Sequence, residues 1–193
     1  MQRHYFVAWL TLIASMILFS WCEKANIQWQ TITEYPEEDK EIISILEKYA
    51  NVMVNYALRN GKWIKKWDVV FVQISECAKP FYIPLQTAIL KAWGQPIFQY
   101  LPDWVSRNYY ENASEEQLSF APLKYLQWRI DEITHNLYVI AESDLHELDG
   151  IEPSKIMQKI KANKAYREMR NKKERDWKFS WTICMYGTPA MAK

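Results

Sequence analysis

The sequence predicts a mainly α protein: a single-pass amino-terminal membrane anchor, or signal peptide, followed by one extracytoplasmic helical domain with Pro-rich connections. Three observations carry this. Tyr5 to Cys22, YFVAWLTLIASMILFSWC, runs eighteen residues without a formal charge. The chain has four glycines, so turns that need positive φ are scarce and a many-stranded β fold is disfavoured. Beyond Pro36, apolar residues recur at three- and four-residue spacing, the period of an amphipathic helix.

The opening stretch sets the expected location. Eighteen helical residues span about 27 Å, close to the hydrocarbon core of a bilayer. Tyr5 and Trp21 mark its ends, where amphipathic aromatics favour the headgroup layer. Arg3 precedes it, and the acids Glu23, Glu34, Glu37, Glu38 and Asp39 dominate its carboxyl-terminal flank, which leaves the amino terminus inside. Phe19 and Trp21 crowd the place where a signal peptidase or a lipoprotein signal needs small residues, so residues 1–22 read as an uncleaved anchor. Residues 23–35 then read as a linker and 36–193 as the helical domain. The expected location is the inner membrane, with the bulk of the chain on the periplasmic side.

Taken in order, the domain opens with a helix after Pro36, whose apolar face is Ile42, Leu46, Tyr49, Met53 and Ala57 and whose end is Asn60-Gly61. Residues 62–79 fit a helical stripe of Trp63, Trp67, Val70, Ile74 and Cys77, although Val69-Val70-Phe71-Val72 also suits a strand; helix is the reading kept. Pro80, Pro84, Pro96 and Pro102 allow only short pieces over 80–104, the best being Leu85 to Trp93. Ser114 with Gln117 forms a capping-box pattern. Leu123 to Leu148 reads as one long helix with a near-heptad seam of Leu126, Ile130, Ile133, Leu137, Ile140 and Leu148. Asp149-Gly150 signals a turn, and a basic helix occupies 153–178.

Charge is unevenly spread. From Pro153 onward there are eleven Lys and Arg against three Asp and Glu, within a chain of net charge +1. Lys161, Lys164, Arg167, Arg170, Lys172, Lys173 and Arg175 are the candidate contacts for an anionic partner, or a solvated helix face neutralised by the chain's own acidic front. In an oxidising compartment Cys77 and Cys184 are expected to pair, closing a loop worth at most about 4–5 kcal/mol. Trp63 with Trp67 and Trp177 with Trp181 stand at i, i+4 spacing beside cations, and the disulfide would gather them into one aromatic cluster.

Catalytic signatures are lacking. There is no HExxH, CxxC, GxSxG, phosphate loop or dinucleotide glycine pattern. His135 and His146, eleven residues apart on the expected helix, would sit about 16 Å from each other and could not share a metal. Glu76, Glu111 and Glu132 are indistinguishable as acids for glycan chemistry. No catalytic residue, metal or cofactor is therefore assigned. The expected function is a non-enzymatic, membrane-tethered assembly subunit of a bacterial envelope complex, of secretion or conjugation type. Its partners would be the membrane and other protein subunits, with nucleic acid ranked low. The alternatives are a cell-wall glycan hydrolase or lyase, and a binder of anionic surfaces.

Overall fold

Val69–Ser75 decides the architecture. It is a β-strand, β1, with Val70, Phe71, Val72 and Ile74 all buried. Apolar side chains on both faces are the mark of a strand covered from two sides, and β-branched residues fit that surface better than a helix. The helical stripe through this segment loses to burial. Three further strands join it: β2 (Gln95–Leu101), β3 (His135–Ile140) and β4 (Ser180–Met185). All pairings are parallel, in the order β2-β1-β3-β4.

The computed structural model describes residues 40–58 and 64–192. The expected anchor, Tyr5 to Cys22, the linker 23–35 and Trp63 lie outside the described residues. Among the described residues no helix is long and apolar enough to cross a membrane.

The helices are α1 (Lys40–Val52), running into a π-helical turn at Met53–Ala57, and α2 (Tyr82–Lys91), reached through a 3-10 turn at Glu76–Phe81. Beyond them come α3 (Val105–Asn112), α4 (Glu115–Ser119), α5 (Leu123–Glu132), α6 (Pro153–Ala162) and α7 (Lys164–Arg175). The register puts Val70, Val72 and Ile74 on the same face as Leu137, Val139 and Cys184. Leu46, Ala50, Met53 and Val54 from α1 and its π-helical turn, and Leu85 and Ile89 from α2, join them in one core. Each fully buried aliphatic side chain there contributes roughly 1.5–3 kcal/mol. The other face carries a smaller cluster: Phe71 with Ile130, Ile133 and Phe179, backed by Tyr166 and Met169.

The mainly α expectation is therefore corrected to α/β. The 123–148 helix is corrected with it. α5 stops at Glu132, Ile133 turns extended (ψ 134°), and His135–Ile140 alternates buried with half-buried positions. Leu126 and Ile130 belong to a helix; Leu137 and Val139 belong to a strand, whose period of two the heptad reading overlooked. Other expectations hold. The Ser114–Gln117 capping box forms, Gly150 takes φ 82°, and Pro153 opens α6. The basic helix is two helices, α6 and α7, meeting at Asn163.

Scarce glycine did not exclude a sheet, for two reasons. Parallel strands are joined by crossovers rather than hairpins, so no tight primed turns are needed. Where the left-handed conformation is needed, tryptophan takes it. Trp67 (φ 73°), Trp93 (φ 66°) and Trp177 (φ 57°) precede β1, β2 and β4, and Trp104 (φ 64°) precedes α3. Each costs of order 1–2 kcal/mol for a residue with a Cβ. Gly94 serves a different need. A Cβ there would meet Ile89 Cγ2 at 3.0 Å and Ile64 Cγ2 at 3.1 Å, so any side chain would press on these two methyls between α2 and the start of β2.

The disulfide is also corrected: Cys77 and Cys184 are free thiols. Cys77 Sγ donates to the Ala141 carbonyl at 3.3 Å. Cys184 faces the core from β4, next to Val139.

Candidate functional site: the crevice at the carboxyl edge of the sheet

The chain leaves β1 toward β2 on one side and leaves β3 toward β4 on the other. Between β1 and β3 the connections diverge, and the ends of the strands open a crevice there. In open α/β sheets this is where ligands bind. The crevice holds about 600 Å³ and is lined by Ser75 from β1, Gln99–Leu101 from β2, Tyr138 from β3, and the loops Pro102–Ser106 and Ala141–Leu148. A volume of this order suits a small organic ligand or a few residues of a peptide. A second groove of about 410 Å³ lies between α1 and α2, lined by Glu47, Asn51, Pro84 and Thr87, on the outer helices rather than at the strand ends.

The crevice is acidic on an apolar floor. Asp103, Glu142, Asp144 and Glu147 contribute carboxylates, Leu101, Val105, Leu145 and Leu148 contribute aliphatic surface, and the lining includes no Lys or Arg. Burial, and then the charge of Glu142, push the Tyr138 phenol above its ordinary range. Burial acts first on Tyr100 as well, ahead of the charges of Glu76 and Asp103. Both phenols thus remain neutral hydrogen-bond donors at physiological pH. The walls are pinned from behind. Arg107 Nη1 donates to the carbonyls of Glu147 (2.9 Å) and Asp149 (3.1 Å), and its Nε to Glu111 at 2.8 Å. Glu76 Oε2 accepts from the Asp103 amide at 3.2 Å.

At the opposite, amino edge a polar chain ties three strands. His135, at 0% exposure, places Nε2 2.9 Å from Asp68 Oδ2 and Nδ1 2.7 Å from Ser180 Oγ. These are the residue types of a nucleophilic triad, but the ring is sealed from solvent and stands at the wrong end of the sheet for the crevice. It works as a tie between the starts of β1, β3 and β4.

The predicted site residues scatter. Lys173 is half-buried and donates to the carbonyls of Ile130 (2.5 Å), Asp131 (2.9 Å) and Ile133 (2.8 Å), closing the end of α5. Its burial lowers its pKa. Lys164 meets Glu168 at 3.7 Å, and Arg170 is half-buried with Nε out of solvent. Lys161, Arg167, Lys172 and Arg175 are exposed on α6 and α7. Trp67 and Trp177 stay exposed at the amino edge. Trp181 lies on β4, its Nε1 bonded to Glu174 at 2.9 Å. Lys66 sits 5.4 Å from the rings of both Trp67 and Trp93, a tryptophan that the i, i+4 pattern does not include. Sequence reasoning misses the crevice residues because their shared position depends on which strands are neighbours. The one sequence signal is the run of acids from Glu142 to Asp149.

Residues 43–193 match the profile of the peptidase family M29, described as thermophilic metalloprotease. A solved structure, wild-type AmpT from Thermus thermophilus, superposes with a TM-score of 0.60 at 23% identity, over 75% of this chain and 36% of that one. The chain therefore spans about a third of the solved relative's length. No curated protein matches. These findings overturn the non-enzymatic envelope subunit, its two alternatives and the single-pass inner-membrane location. The envelope reading rested on Tyr5 to Cys22 and on a helical domain, and the domain is an α/β peptidase-family fold.

A metalloprotease family implies a metal, and the described residues do not fit one. Among them no group of three or more His, Cys, Asp and Glu could hold an ion. Both His135 nitrogens are engaged in the buried tie, and His146 Nδ1 is engaged by Asp149 at 2.9 Å.

Proposed function

The chain belongs to the M29 family of thermophilic metalloproteases, and from that premise we propose that this α/β domain serves peptide hydrolysis by holding the peptide. The observation that carries the reading is the crevice of about 600 Å³ at the point where the connections from β1 and β3 diverge. Its chemistry suits a peptide. Carboxylates accept from amide N–H groups and from the ammonium of a free amino terminus. The Tyr100 and Tyr138 hydroxyls can donate to peptide carbonyls, and the Leu101, Val105, Leu145 and Leu148 surface takes apolar side chains.

No hydrolytic step is derived from the described residues, since they do not fit a metal. What they supply is grip and orientation, which lower the entropic cost of bringing a peptide bond to a reacting group. Calorimetric titration of the full chain with a short apolar peptide tests this. The unblocked peptide should bind, its amino-acetylated form should bind about tenfold more weakly, and Glu142→Gln with Glu147→Gln should erase the difference. Absence of binding, or equal affinity for both forms in the unaltered chain, would overturn the reading.

A further inference from the structure

We propose that the groove between α1 and α2 is a second binding site and that it takes a nucleoside monophosphate. The groove holds about 410 Å³, within the range of small-molecule sites. A further hollow of about 280 Å³ shares Ile64, Ala92 and Trp93 with it and adds Lys66. The shared residues precede β1 and β2, so this end of the site lies at the amino edge of the sheet, opposite the crevice.

Trp93 suits a planar ring. It is 67% exposed, and its backbone is left-handed at φ 66°. A bulky residue keeps that conformation only where its surroundings enforce it, and such residues gather at ligand clamps. The Trp93 amide donates to the Leu90 carbonyl at 3.0 Å, and its carbonyl accepts from the Trp67 amide at 3.1 Å. The backbone is held on both sides while the indole stays open on the groove wall, which is what a stacking platform requires.

The α1 wall supplies hydrogen bonds of the right kind. Glu47, Asn51 and Asn55 recur at four-residue spacing and all line the groove. Asn55 stands in the π-helical turn, a distortion frequent at functional sites. Its carboxamide donates to that of Asn51. With that contact made, Asn51 still offers N–H donors and Asn55 a carbonyl acceptor, a match for the mixed donor and acceptor edge of a nucleobase. Glu47 can accept from ribose hydroxyls.

Charge selects a nucleotide over a neutral sugar. Lys66 Nζ lies 5.4 Å from the Trp93 ring, and Lys91 lines the groove two residues before that tryptophan. Among the described residues neither lysine has an ion-pair partner. A sugar would use the indole and the carboxamides but leave both ammonium groups unanswered; a phosphate answers them.

Calorimetric titration of the full chain with adenosine monophosphate, adenosine and inorganic phosphate tests the site. The nucleotide should bind in the sub-millimolar range, adenosine about tenfold more weakly, and phosphate alone not detectably. Trp93→Leu should weaken the nucleotide about 10-fold or more, because it removes the stacking face. Lys66→Ala combined with Lys91→Ala should reduce the nucleotide to the affinity of adenosine. Trp177→Leu, at an indole exposed outside the groove, should change nothing. Circular dichroism checks that each variant is folded. Absence of nucleotide binding, equal affinity for nucleotide and nucleoside, tighter binding of maltose, or indifference to Trp93→Leu would overturn the proposal.

Discussion

His135 Nε2 lies 2.9 Å from Asp68 Oδ2, and the imidazole between them and Ser180 is sealed at 0% exposure. Because a carboxylate only accepts, Nε2 carries the proton toward Asp68. On the other side of the ring Nδ1 lies 2.7 Å from the Ser180 hydroxyl oxygen, within hydrogen-bond reach. Asp68 Oδ2 also accepts from the Lys65 amide at 2.7 Å, so one carboxylate anchors the turn into β1 as well as the ring. A buried polar link of this kind costs more to break than it contributes when intact. His135→Ala should lower unfolding free energy by about 2–4 kcal/mol and Ser180→Ala by about 1 kcal/mol, read from urea denaturation. A His135→Ala loss under about 1 kcal/mol would show that the tie is incidental.

Lys173 gives a second prediction. Its three carbonyl acceptors lie at the end of α5, where the helix dipole favours a cation. Lys173→Met should cost about 1–2 kcal/mol of stability, whereas the exposed Lys172→Met should stay within about 0.5 kcal/mol. Equal effects at both positions would return Lys173 to the solvated surface.

The thiols give a third. Alkylation of the unreduced, denatured chain should modify both Cys77 and Cys184, as mass spectrometry will show; a protected pair would contradict the free thiols.

A pH dependence arises from the same cysteine. Burial pushes the Cys184 thiol up to about 12. An acid whose folded pKa is raised stabilises the fold below its unfolded pKa, near 8.5, and that stability is lost as pH climbs toward the folded value. Over that window the unaltered chain should lose up to ~1.4 kcal/mol per pH unit relative to Cys184→Val. Parallel stability profiles at pH 8, 9 and 10 would contradict this.

Local signals are legible in the sequence and long-range ones are not. The Ser114–Gln117 box, the Gly150 turn, the Pro153 helix start and most of the 85–93 helix depend on neighbours within four residues. β1 and β3 depend on what covers them. Val70 and Leu137 are buried because strands from distant parts of the chain pair in register, and no window of the sequence contains that information. The heptad seam through Ile133 and Leu137 merges two elements into one. The basic segment is visible as charge, but not that Lys173 is spent on α5. The crevice is illegible for the same reason as the sheet: Asp103 and Glu142 line one crevice only after β2 and β3 flank β1.

The central claim is that the carboxyl edge of the sheet holds a peptide, and chemical-shift mapping of the full chain with an unblocked peptide tests it most directly. Perturbed resonances should gather at Ser75, Leu101, Tyr138, Ala141 and Leu145, around the crevice. Perturbations confined to Asn51, Thr87 and Lys91 in the groove between α1 and α2, or none at saturating peptide, would contradict it.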